Sequence, residues 1–173
     1  MTDPQGNDFY IEHLDSHDRS SFSCGVEELD IYLKTRASQD ARKKVAAPFV
    51  VIDETNGTVA GFYTLSMKSV KLAELQPEAQ KKLPRYPEVP AVLLGRMGID
   101  VKYRGRGLGE IILFDALKRS YEHSGEIAAF AVVVDAKHGA EGFYLRYGFV
   151  PFPDDKYQLF LPMKTIETLI KES

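Results

Sequence analysis

The 173-residue sequence predicts a mixed-sheet α/β domain, and three observations carry that prediction. Apolar runs of strand-like and helix-like period alternate along the chain. Two of these runs flank Asn56-Gly57, a strong hairpin signal. A glycine-rich segment, "RGRGLG" from Arg104 to Gly109, stands late in the chain between a strand-like run and a strongly helical one. No linker, repeat or low-complexity tract divides the sequence, so a single domain over residues 1–173 is expected.

Taken in order, "FYIEHL" reads as a first strand. "VEELDIYLKTRASQDARKKV" reads as one helix, with Leu29, Leu33, Ala37, Ala41 and Val45 at helical spacing, acids early and bases late. "APFVVIDETNGTVAGFYTLSM" is a hairpin with a type I′ turn at Asn56-Gly57. In "KLAELQPEAQKKLPRYPEVP" a short helix precedes Pro84, Pro87 and Pro90, which enforce an extended approach to the strand "AVLLGRMGIDV". The helix after the glycine segment buries Ile112, Leu113, Ala116 and Leu117 and leaves Asp115, Lys118, Arg119 and Glu122 outside. "EIAAFAVVVDA" is continuously apolar, as a central strand covered on both faces is. "KHGAEGFYLRYG" is a second helix with Gly148 as its C′ cap, "KYQLFLPM" a last strand, and "KTIETLIKES" a terminal helical segment.

Composition excludes several functions. The start "MTDPQGNDFY" lacks a basic n-region and an apolar core, and no run approaches 18 apolar residues, so cytoplasm is the expected location and no membrane partner is expected. The single cysteine, Cys24, forms no internal disulfide, and His13, His17, His123 and His138 lack zinc-ligand spacing, so no metal is expected. A net charge of −3 argues against nonspecific coating of nucleic acid. The positive charge is nevertheless clustered: Lys34, Arg36, Arg42, Lys43 and Lys44 on the first helix, Lys81, Lys82 and Arg85 mid-chain, and Lys102, Arg104, Arg106, Lys118 and Arg119 around the glycine segment. Solvated helix faces beside a cofactor pocket explain this pattern, and so does a groove for a polyanion.

A glycine loop opening a helix is built to hold an anion, because backbone N–H groups approach closely and the first turn leaves donors unpaired. A P-loop needs Gly-Lys-Ser/Thr, where Leu108-Gly109-Glu110 stands. A dinucleotide fingerprint needs a sixth-position glycine, where Glu110 (counting from Gly105) or Ile112 (from Gly107) stands. Arg104-x-x-Gly107-x-Gly109 remains.

That pattern, with "RMGIDVKYRGRGLG", "VVVDA" and "GFYLRYGF", resembles the coenzyme A half of the GCN5-related N-acetyltransferases, the GNAT family. "FSCGVEELDIYLKTRASQDAR", "GFYTLS" and "LPRYPEVPAVLLGRMGID" are similar to the bacterial subfamily that includes GNAT toxins of toxin–antitoxin operons, which acetylate the amino group of aminoacyl-tRNA. The resemblance covers roughly residues 9 to 163. It implies a GNAT fold, a mixed sheet flanked by helices with two parallel strands splayed around a coenzyme A cleft, and acetyl-CoA as co-substrate. Arg104, Gly105, Arg106, Gly107, Leu108 and Gly109 would cradle the pyrophosphate. Met97, Gly98 and Ile99 would lie along the pantetheine arm, with a bulge at Gly98, where the family's usual alanine is absent. Tyr144 matches the family's tyrosine, the acid for the departing thiolate, while Tyr147 is the decoy and Phe143 and Phe149 are core. Implied partners are aminoacyl-tRNA, a ribbon-helix-helix antitoxin and, as a homodimer, a second copy of the chain.

Direct acetyl transfer needs an unprotonated amine, a donor for the oxyanion and an acid for the leaving thiolate. Backbone N–H near Ile99 and the Tyr144 phenol suit the last two roles. No carboxylate announces itself as the base, though Glu28, Asp135 and Glu141 stay open. This favours an α-amine, with a pKa near ~7.7–8.0, over a lysine amine near ~10.4. Two other readings stay open: an acetyltransferase for a small-molecule amine or a protein N-terminus, and a noncatalytic acetyl-CoA-binding module.

Overall fold

A computed structural model describes residues 1–136 and 139–173. Its elements are β1 (Phe9–His13), α1 (Glu27–Thr35), α2 (Ala37–Arg42), β2 (Ala47–Asp53), β3 (Val59–Lys71), α3 (Pro77–Gln80), β4 (Glu88–Ile99), α4 (Leu108–His123), β5 (Ala131–Asp135), α5 (Glu141–Leu145), β6 (Val150–Phe152), β7 (Asp155–Pro162) and α6 (Met163–Glu172). The strands form one seven-stranded mixed sheet in the order β1-β2-β3-β4-β5-β7-β6. β4 and β5 are parallel, whereas β1–β2, β2–β3, β5–β7 and β6–β7 are antiparallel. This is the α/β class expected from the alternating periods. The β4–β5 pairing runs from Val92↔Val132 to Leu94↔Val134, and β4 itself continues to Ile99.

The chain divides into two compact units, Met1–Ser66 with Gly95–Ala116, and Met67–Leu94 with Leu117–Ser173. In the first, β2 is buried along almost its whole length, as its unbroken apolar run requires. Val50, Ile52, Val59 and Phe62 there pack with Phe22, Cys24, Tyr32, Leu33 and Ala37, so α1 is held by its apolar face rather than by a side-chain cap. In the second, Val70, Leu75, Val89 and Ala91 pack with Ala131, Val133, Phe152 and Phe160.

Four local expectations are corrected. The single helix over residues 26–45 is two helices, broken at Arg36, whose φ of −120° and ψ of −29° leave the helical region. Leu33 and Ala37 are buried as predicted, but Val45 follows Lys44, which has a φ of 58°, and is exposed. The hairpin turn is not type I′: Gly57 has a φ of 72°, but Asn56 is not among the positive-φ residues. Asp53 pre-empts the tight turn. Its carboxylate accepts the Thr55 N–H, its carbonyl accepts Gly57 N–H at 2.8 Å, and its own N–H reaches Thr58 O at 2.9 Å, which closes a longer loop. Next, the apolar run before Asp135 is a strand only from Ala131. Last, Asp115 turns inward to accept a hydrogen bond from the fully buried Tyr63 hydroxyl, while Ile112, Leu113, Ala116 and Leu117 are buried as expected.

Candidate functional site

The glycine loop lies in the first unit. β4 ends at Ile99, a short 3-10 turn spans Val101–Tyr103, and α4 begins at Leu108. Gly105 and Gly107 have φ of 77° and 75°, values that an L side chain tolerates poorly. A Cβ placed at Gly105 would meet nothing within 4 Å, and one at Gly107 only Pro4, at 3.8 Å, so the backbone there faces open space. The N–H groups of Leu108, Gly109 and Glu110 open α4, where geometry denies them an intrahelical acceptor. These residues fit a pyrophosphate.

The loop's arginine side chains are turned to protein. Arg104 donates from Nη2 to the Cys24 carbonyl at 2.6 Å, and the Arg106 guanidinium lies 5.0 Å from the centroid of the Tyr103 ring. Tyr103 in turn donates to the buried carboxylate of Asp53 at 2.7 Å. Burial works to raise the Asp53 pKa, but the Tyr103 and Thr55 hydrogen bonds and the nearby Arg106 charge outweigh it and hold the carboxyl below its ordinary value. An anion at this loop would therefore be held by main-chain N–H groups, with the arginines shaping the loop.

Segment Ser23–Gly25 is the partner that sequence reasoning missed. Ser23 N–H donates to buried Asp100, Val101 N–H donates to Ser23 O at 2.8 Å, and Gly25 has a φ of 86°. A Cβ at Gly25 would fall 2.5 Å from Arg104 Nη2, which leaves glycine as the residue that fits. "FSCG" carried the signal, a glycine just before a helix. Gly98 has a related constraint: a Cβ there would lie 3.0 Å from the Phe62 ring and 3.4 Å from Cys24 Sγ. Across from it, a Cβ at Gly61 would lie 3.0 Å from the Gly98 carbonyl. Close packing thus accounts for Gly98 directly. Met97 and Ile99 are half-buried on either side of it.

Tyr144 lies in the second unit, on α5, which begins at Glu141; the expected earlier start of this helix at Lys137 and His138 lies outside the described residues. Its ring is wedged between Phe143 and Phe149, with centroids 5.2 and 5.3 Å away, and the residue is 5% exposed. Among the described residues, nothing hydrogen-bonds its hydroxyl. Burial first, and then the Asp135 charge, pushes the phenol up to about 12. Gly148 ends the segment with a φ of 89°, and Phe149 is buried, as predicted. Phe143 and Tyr147 are half-buried, with centroids 5.4 Å apart. Of the carboxylates held open as bases, Glu28 is exposed on α1, Asp135 is near enough to act on Tyr144, and Glu141 has a buried Oε2 with no hydrogen-bond partner among the described residues. Arg36, Arg42, Lys43 and Lys44 are exposed in the first unit, and Lys81, Lys82 and Arg85 are exposed in the second. No helix among the described residues is long and apolar enough to cross a membrane.

Comparison with known proteins places this geometry. The profile of the GNAT acetyltransferase family matches residues 11–149. A "tRNA-acetylating toxin" of Mycobacterium tuberculosis is 36% identical over 157 residues, covering 90% of this chain and 92% of its own. The structure of AtaT complexed with acetyl-methionyl-tRNAfMet superposes with a TM-score of 0.86 at 31% identity, over 94% of this chain and 99% of that one. A mutant AtaT toxin bound to the C-terminus of the antitoxin AtaR and acetyl-CoA superposes with a TM-score of 0.79 at 27% identity, over 94% and 98% of the two chains. Glycine loop, mixed sheet and full-length likeness agree, and the chain belongs to the GNAT family of acetyl-CoA-dependent acetyltransferases.

Proposed function

We propose that this acetyltransferase transfers the acetyl group of acetyl-CoA to the amino group of an aminoacyl-tRNA, and that it is the toxin of a toxin–antitoxin pair. The acceptor and the role are supported by full-length likeness to relatives whose names state tRNA acetylation, a toxin and its antitoxin. The exposed basic run of Arg36, Arg42, Lys43 and Lys44 supports them from this chain's own surface. The site of action is then the cytoplasm, where charged tRNA is found, and the partner is a ribbon-helix-helix antitoxin. Both compact units serve one catalytic domain in this reading, because the family match takes in parts of each.

The observation that carries the chemistry is Tyr144, a buried phenol whose hydroxyl no described group claims. Bound acetyl-CoA supplies a reactive acyl thioester with a thiol leaving group. Backbone N–H groups of Gly105 to Gly109 would hold its pyrophosphate, and the backbone of Met97, Gly98 and Ile99 would pair with its pantetheine arm. With its pKa near 12, Tyr144 keeps its proton at every working pH. An ordinary thiol titrates near ~8.5, so the phenol is too weak an acid to lose that proton outright to a thiolate at rest. Its role is to donate a hydrogen bond that strengthens as negative charge grows on sulfur. An aminoacyl ester has an α-amine of pKa ~7.7–8.0 or lower, so part of it arrives unprotonated and no dedicated base is required.

The test offers purified enzyme and acetyl-CoA a panel of acceptors: charged tRNA, free amino acids, polyamines and peptides with free N-termini. Acetylated aminoacyl-tRNA as the dominant product is expected. Equal turnover of free amines would assign a metabolic acetyltransferase instead.

A further inference from the structure

Arg96 stands in β4, one residue before Met97, and its side chain is solvent-exposed. It is not loose. Its guanidinium carbon sits 3.8 Å from the centroid of the Tyr32 ring, close enough for a strong cation–π contact. Tyr32 is itself immobilised: it is 4% exposed, donates to Asp40 on α2 at 2.9 Å, and stacks on the fully buried Phe62 with centroids 6.2 Å apart. The main chain is fixed at the same point, because Arg96 N–H donates to the hydroxyl of buried Thr64 at 3.1 Å. Arg96 therefore caps an aromatic column, Phe62 then Tyr32, with its plane and position set in advance.

What Arg96 lacks is an anion. Among the described residues no carboxylate pairs with its guanidinium and no acceptor takes its N–H groups. Asp40, the nearest acid through Tyr32, is engaged by the phenol. An arginine held by a buried ring, with its donors left to solvent, is arranged for an external anion that offers two oxygens, a carboxylate or a phosphate. Its location narrows which one. Residues 96 and 98 share a face of β4 by the strand's period of two, and the Gly98 side of that face meets Cys24 and Phe62. Through Tyr32 and Asp40 the same face is tied to α2, which carries the exposed Arg42 and leads into Lys43 and Lys44. α2, with its exposed Arg42, is thus joined through Tyr32 to Arg96, which stands one residue short of the strand segment assigned to the pantetheine arm.

We propose that Arg96 binds the phosphodiester of the acceptor's 3′-terminal nucleotide and so places the aminoacyl ester for acetylation. The inference rests on the aminoacyl-tRNA reading above and deepens it. In such an acceptor the amino acid's own carboxyl is esterified, which leaves backbone phosphates as the anions near the reacting amine. A flat, pre-oriented guanidinium can meet two oxygens of one phosphate at once. Tyr32 is then a positioning residue, acting only through the stack.

The experiment compares two acceptors that differ in phosphate: charged tRNA, and the matching aminoacyl-adenosine, which has the same ester and ribose but no phosphate. Wild type, Arg96→Ala, Arg96→Lys and Tyr32→Phe are assayed for KM, kcat, acetyl-CoA affinity and melting temperature. Arg96→Ala should raise KM for charged tRNA about tenfold to a hundredfold, with kcat and acetyl-CoA affinity nearly unchanged. The KM for aminoacyl-adenosine should not move. Arg96→Lys should fall between, and Tyr32→Phe, which keeps the ring but frees it from Asp40, should raise KM for charged tRNA less than Arg96→Ala does and leave KM for aminoacyl-adenosine unmoved. If Arg96→Ala does not fold, Arg96→Lys, which keeps the charge and aliphatic stem, reads the same contrast. An equal loss on both acceptors, or none on either, would overturn the proposal and leave Arg96 as a cap on Tyr32. Wild type that acetylates aminoacyl-adenosine but not charged tRNA would instead bring down the tRNA reading itself, and Arg96's role with it.

Discussion

Arg104 donates from Nη2 to the carbonyl of Cys24 across 2.6 Å, and so ties the start of the glycine loop to a segment eighty positions earlier in the chain. A charge-assisted hydrogen bond of this kind is worth about 1.5–3 kcal/mol when its partner is left unmatched. If the glycine loop holds the pyrophosphate, Arg104→Ala should therefore lower the melting temperature and weaken acetyl-CoA binding together, although the side chain is turned to Cys24. Calorimetry on the variant checks both. A variant that loses only acetyl-CoA affinity, with no change in melting, would show that Arg104 touches the cofactor itself.

Gly107 has a φ of 75° and faces open space. Gly107→Val forces a β-branched residue into the left-handed region and fills the volume assigned to pyrophosphate. Acetyl-CoA affinity should fall about a hundredfold or more, with the far-ultraviolet circular dichroism of the fold retained. Titration calorimetry decides it, and unchanged affinity would remove the loop from the cofactor site.

Tyr144→Phe keeps the ring between Phe143 and Phe149 and removes only the hydroxyl. Turnover should drop by about 10²–10⁴ with acetyl-CoA affinity intact. The wild-type pH profile carries a second sign. With the phenol pushed up to about 12, the rate should climb as the acceptor amine deprotonates and then stay level to about pH 10. A descending limb near pH 9 would mean that a more acidic group than Tyr144 serves the departing sulfur.

Much of this was legible in the residues themselves. Element order followed from hydrophobic period, and the glycine loop announced itself because Gly105 and Gly107 stand where backbone must turn left-handed. What was not legible depended on partners far away in sequence. The type I′ turn expected at Asn56-Gly57 gave way because Asp53 claims the loop's N–H groups, and Asp53 is in turn held by Tyr103, fifty residues on. Asp115 has the spacing of a surface residue, and the buried Tyr63 hydroxyl, which needs an acceptor, turns it inward. Gly98, expected at a bulge, answers a second demand that its own sequence does not show: Phe62 and Cys24 leave little room for a Cβ there whatever the strand does. Arg96 carried a faint signal, an arginine inside an otherwise apolar strand, but only Tyr32 beneath it gives that charge a fixed orientation.

The Tyr103–Asp53 hydrogen bond makes a stability prediction with a definite pH sign. Asp53 has a folded pKa below its ordinary value, so its contribution is present above the unfolded carboxylate pKa and is lost as pH falls through the folded one. Tyr103→Phe should cost about 1–3 kcal/mol at neutral pH, because it leaves a buried carboxylate short of a donor. The gap to wild type should close below about pH 4, as the carboxyl protonates in the unfolded chain and then in the folded one. Urea unfolding at pH 7 and at pH 3 measures it.

Salt dependence tests the identity of the acceptor most directly. Acetylation of charged tRNA is measured from low to moderate salt for wild type and for the combined Arg42→Ala, Lys43→Ala, Lys44→Ala variant, with a free amine acceptor assayed in parallel. The tRNA reading predicts that kcat/KM for charged tRNA falls steeply with salt, by roughly one unit of log–log slope per phosphate contact, and that the triple variant is slow with a shallower slope while its acetyl-CoA affinity is unchanged. Activity on charged tRNA and on free amines that is equal, indifferent to salt and untouched by the triple change would contradict it.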